Sequence, residues 1–83
     1  MKTAVKREKG RVDLFGERFR ARAHQLSPRL LAVASYINDN REAVLERTAM
    51  EIASATNTSD ATVVRAIQAL GFAGLRELKQ TME

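Results

Sequence analysis

The stretch Thr48 to Phe72, TAMEIASATNTSDATVVRAIQALGF, leaves little freedom in how it folds. Thr48 and Glu51 have capping-box spacing: the threonine hydroxyl can accept the Glu51 N–H while the glutamate reaches back to the first free donor. A short helix is therefore expected from this cap to about Ala55, burying Met50, Ile52 and Ala53. TNTS breaks it. Asn57 is one of the few non-glycine residues that tolerates the left-handed conformation a tight turn needs. Ser59 then starts a second helix, Asp60 to Leu70, with Asp60 at its positive end and Gly71 as its terminating residue. Two short helices joined by three or four residues form a helix-turn-helix.

The flanking sequence is helical as well. Val12, Phe15, Phe19 and Leu26 share one face of a 3.6-residue period and predict a helix over Val12–Gln25, with Gly16 as a weak point. Ser27 and Pro28 suit the cap and first position of a helix to about Asn38, buried along Leu30, Val33, Ala34 and Ile37. Asn40 is placed to cap a third helix, Arg41 to about Glu46, which buries Ala43, Val44 and Leu45. A last helix, about Ala73 to Thr81, buries Leu75 and Leu78. Residues 1–11 are charged and poor in apolar groups, as in a flexible basic arm. No alternating strand pattern occurs. The expected fold is an all-α bundle of five to six helices over residues 12–83, containing a helix-turn-helix of homeodomain-like kind.

Charge and composition narrow the function. The net charge is +4, with residues 1–30 near +6 (nine Lys/Arg, three acids) and residues 31–83 near −2 (five against seven). A basic N-terminal third favours a polyanionic partner. There is no cysteine and one histidine, which excludes a disulfide framework, a thiolate metal site and a catalytic thiol. No apolar run approaches the roughly 20 residues that span a bilayer, and no signal-peptide pattern follows Met1. The chain reads as a cytoplasmic domain with no cofactor and no membrane partner.

On a helical wheel of the Ser59-capped helix, Val63, Ile67 and Leu70 cluster with Ala66 beside them. The opposite face carries Ala61, Arg65 and Gln68, with Thr62 and Ala69 at its borders. Solvated helix faces usually carry Lys and Glu, and this one carries neither. It suits a DNA major groove. Arg binds guanine and Gln binds adenine bidentately, and small Ala lets the backbone approach. Thr62, Arg65 and Gln68 are the candidate base readers. Thr58, Ser59 and Thr48 are candidate phosphate contacts, with Arg18, Arg20 and Arg22 as further electrostatic ones. Two other readings stand beside this one. The helices can form a protein-interaction or dimerisation module, a reading that the Leu30/Leu31 pair supports. An enzyme fragment has no nucleophile–base pair, carboxylate pair or Gly-rich phosphate loop to recommend it.

From Leu26 to Met82, and most specifically in the letters S-x-ATVVR…LGF…ELK (Ser59 to Lys79), the chain resembles the N-terminal helix-turn-helix domain of the RpiR family of bacterial transcription regulators. The resemblance implies double-stranded DNA as partner, the Ser59–Leu70 helix as the recognition helix and a homodimer. It also implies control of sugar-metabolism genes by a phosphosugar effector, acting through a C-terminal sugar isomerase-type domain that is not in this chain. Four positions depart from the family pattern. Asn57 replaces the usual glycine of the turn, Thr58 replaces an apolar residue, and Leu30 and Leu31 stand where charged residues are common.

Overall fold

The computed structural model describes residues 13–83; the expected basic arm and Val12 lie outside the described residues. Helix α1 (Leu14–Arg22) is capped by Asp13, whose carboxylate accepts the Gly16 N–H at 3.0 Å. Sequence periodicity extends this helix to Gln25, but the last turn tightens into a 3₁₀ turn, Ala23–Gln25. Downstream, Pro28 pushes the residue before it out of the helical region. Ser27 is accordingly extended, and its hydroxyl caps helix α2 (Pro28–Asp39) with Pro28 at the first position.

Helix α3 is a single turn, Arg41–Val44, shorter than expected. Asn40 does not cap it with its side chain. The amide instead donates to the Tyr36 carbonyl at 2.9 Å and closes the end of α2. Helix α4 (Ala49–Thr56) carries the complete capping box of Thr48 and Glu51, and helix α5 (Asp60–Ala69) is capped by Ser59. Helix α6 runs Leu75–Met82, two residues later than expected at its start. Gly74 is fully extended there, and the Glu77 carboxylate reaches back to the Ala73 N–H at 2.6 Å. Among the described residues there is no strand, and no helix is long and apolar enough to cross a membrane.

The core sits where α5 packs on α2 and α4, with α1 and α6 closing one side. Val33, Ile37, Ile52, Val63, Ile67 and Leu70 are fully buried. Phe15 is buried between Phe19 and Phe72, with ring centroids at 6.0 and 6.3 Å. Phe19 itself is half-buried against the core, as are Leu30 and Leu75. In α3 only Val44 is buried, and Ala43 and Leu45 are half-exposed.

Arg41 ties α3 back to the start of α1. It meets Asp13 at 2.6 Å, donates to Asn38 Oδ1 at 2.8 Å and lies over the Phe15 ring. The Arg41 guanidinium holds the Asp13 carboxyl below its ordinary value, an effect only partly opposed by burial. A carboxyl lowered in the folded state stabilises it when ionised. That contribution is lost as the pH falls through the lowered value.

Candidate nucleic-acid interface

The turn between α4 and α5 is built to fix the angle between the two helices. Asn57 adopts the left-handed conformation (φ 57°, ψ 44°), and the Thr58 N–H donates to the Ala53 carbonyl at 2.9 Å. This is the geometry that the asparagine predicted. The Thr56 hydroxyl donates to the Ile52 carbonyl at 2.9 Å, so its oxygen is left to accept from Thr58, 2.9 Å away. Both Thr58 donors therefore point into the turn, whereas a phosphate needs a donor. The structure takes Thr58 out of the set of side chains that can hold one.

Thr62 is also corrected. Expected on the reading face, it is only 6% exposed, and its hydroxyl lies 3.0 Å from Ser59 Oγ. Its place at the border of the wheel falls on the buried side once α5 packs. The Ser-x-x-Thr spacing was the available signal, since a cap residue and the residue three later meet across the first turn. Ser59 is exposed and accepts the Thr62 N–H at 3.1 Å. Thr48 is exposed; its N–H donates to Glu51 and its oxygen accepts from Glu51, which leaves the hydroxyl proton free to turn outward.

The outward face of α5 is otherwise as the wheel indicates. Ala61, Arg65 and Gln68 are exposed. Arg65 has no hydrogen-bond or ion-pair partner among the described residues, so Asp60 does not hold it as a structural residue. Gln68 spends one amide proton on the Ala73 carbonyl at 3.3 Å, which leans its side chain toward the C-terminal end of the helix.

The α1 arginines divide. Arg18 and Arg22, four residues apart and hence on one helix face, cap the far end of α5. Arg18 donates to the Gly71 carbonyl at 2.6 Å, and Arg22 to the Ala69 carbonyl at 3.1 Å. Arg18 also stacks over the Phe72 ring, 4.7 Å from its centroid. The last carbonyls of a helix have no internal partner and carry its negative end, which suits two guanidinium groups. These two brace the C-terminal end of α5 from within the protein. Gly71, at φ 91°, leaves room for them: a Cβ there would lie 2.8 Å from Arg18 Nη1. Arg20 is exposed on a different side of α1, where Asp13 feels its charge. Nothing in the structure brings Arg20 to the N-terminal half of α5.

The bracing role has a measurable consequence. Arg18→Ala is expected to cost about 1 kcal/mol, reduced from the value of a buried charged hydrogen bond because the Gly71 contact is exposed. For a domain of this size that lowers the melting temperature by about 4–8 °C. The slope of log affinity against log salt for DNA stays unchanged, since no phosphate contact is lost. A thermal melt and a salt titration on one duplex check both.

A chain with this pair of short helices has a match among known proteins. Residues 15–83 match the helix-turn-helix domain of the rpiR family. The chain belongs to this family. It is also 38% identical over 56 residues to an uncharacterized HTH-type transcriptional regulator, YbbH, of Bacillus subtilis (strain 168). That match covers 68% of this chain and 20% of the relative, so the chain spans about a fifth of the length of the regulator it resembles. The rpiR-family domain is a DNA-binding helix-turn-helix of a transcription regulator, and α4 and α5 are its helix pair.

Proposed function

We propose that the chain is the DNA-reading part of a sequence-specific regulator in which the N-terminal half of α5 enters the major groove. The carrying observation is Arg65: exposed, at the middle of α5 and free of any partner among the described residues. An arginine so placed can pair bidentately with a guanine edge without first breaking a bond in the protein. Gln68 lies one turn further along and makes the weaker base contact. Ser59 and Thr48 supply phosphate contacts. If the buried Thr62 hydroxyl donates to Ser59, the Ser59 proton is left to face the DNA backbone. Arg20 contributes to the positive field rather than to a contact.

The reading extends to a two-fold dimer on half-sites about 34 Å apart, or a multiple of that spacing, because a single short helix reads too few bases for specificity. Leu30 packs against the core, which leaves the half-buried Leu31 as the remaining apolar residue of that pair for such an interface. Where a C-terminal sugar isomerase-type domain accompanies such a helix-turn-helix, it would bind a phosphosugar and set the direction of control, with sugar-metabolism genes as targets.

Selection from a random duplex library tests the central point. The expected result is one enriched sequence, bound more tightly than random DNA, with affinity falling steeply as salt is raised. Binding that is salt-insensitive, or equal on all sequences, would favour the protein-interaction reading instead.

A further inference from the structure

Met50 was expected in the core and is instead 72% exposed, the most exposed large apolar residue among those described. Its position explains this. Ala49, Ile52, Ala53 and Thr56 form the inward stripe of α4, and Met50 lies about 100° round the helix from Ala49. Ser54, one turn on, is exposed as well. Met50 and Ser54 line a shallow depression whose other wall is Thr58, Ser59 and Asp60, the turn and the first residues of the recognition helix. The exposed Met50 thus stands beside the end of α5 that enters the groove.

The chemistry of this depression selects among the parts of DNA. No cation lines it and Asp60 does, so a phosphate is met only at its Ser59 rim and the Met50 side is left to an apolar group. A flexible thioether chain seeks apolar surface, and it adapts its shape to whatever it covers. The apolar group that a duplex offers in the major groove is the thymine 5-methyl. The small Ser54 and the exposed Ala61 next to Asp60 allow close approach.

We infer that Met50 is a specificity-determining residue that covers the 5-methyl of a thymine adjacent to the base read by Arg65. The inference rests on the groove-binding reading of α5. Its test uses the 83-residue chain and the duplex that it selects. Each thymine of that duplex is replaced in turn by deoxyuridine, which removes the methyl and nothing else. For the wild-type chain, one replacement lowers affinity about fourfold, the worth of one buried methyl. Met50→Ala, which suits an exposed helix position and leaves the melt unchanged, loses about the same factor and no longer responds at that thymine. Met50→Leu keeps the response.

A Met50→Ala chain that responds to every deoxyuridine as the wild type does would overturn the inference, as would a selected site that contains no thymine. So would a fall in self-association caused by Met50→Ala in sedimentation, because the residue would then belong to a protein contact. In these cases an enriched site that still depends on Arg65 leaves the groove-binding reading intact. A library that yields no enriched site removes that reading and this inference together.

Discussion

Ile67→Ala is expected to cost about 2–5 kcal/mol, a large fraction of the stability of a domain this small. Ile67 is fully buried on the face of α5 that packs between α2 and α4. Removing three carbons there loses their transfer energy and leaves a cavity that three helices must close together. The Ile67 carbonyl also accepts the Phe72 N–H at 3.2 Å, so any shift of this turn reaches the ring stack of Phe72 and Phe15. Val64→Ala on the same helix is the control: Val64 is 37% exposed, and its loss should stay within about 0.5 kcal/mol. Chemical denaturation of the two variants gives the comparison. Equal losses would mean that α5 is not rotated as described, and the assignment of its outward face would fall with it.

Arg65→Ala is expected to cost about 1–3 kcal/mol on the selected duplex and much less on random DNA. The melting temperature should not move, because Arg65 has no partner among the described residues to lose. This separates it from Arg18, which also carries a guanidinium but spends it on the Gly71 carbonyl. Arg18→Ala lowers the melt and leaves the salt slope alone; Arg65→Ala lowers the ratio of specific to random affinity and leaves the melt alone. Fluorescence anisotropy on both duplexes at two salt concentrations, beside a thermal melt, gives the result. An unchanged ratio would show that Arg65 reads no base.

Local signals determined most of the architecture. Thr48 with Glu51, Ser27 with Pro28, Ser59 and Gly71 each act through a backbone donor, acceptor or torsion within four residues, so they need no knowledge of the fold. Asn57 in the left-handed region is of the same kind. The periodicity of α5 likewise separated Ile67 from Arg65 before any packing was known.

Tertiary structure decided the residues at the borders of those faces and the partners of the long side chains. Thr62 and Met50 both lie far from the centres of their helix faces. Which side of such a border is buried depends on where the neighbouring helix falls: Thr62 goes inside and Met50 stays out. Asn40 had two helix ends within reach, and its amide closes the earlier one. Arg18, Arg20 and Arg22 are alike in sequence, yet two of them reach carbonyls 47 to 53 residues away and the third does not. A cap is a contact along the chain, whereas a guanidinium finds its acceptor across space. Helix α5 is therefore written in the sequence from Ser59 to Gly71, while the arginines that hold its far end are visible only in the fold.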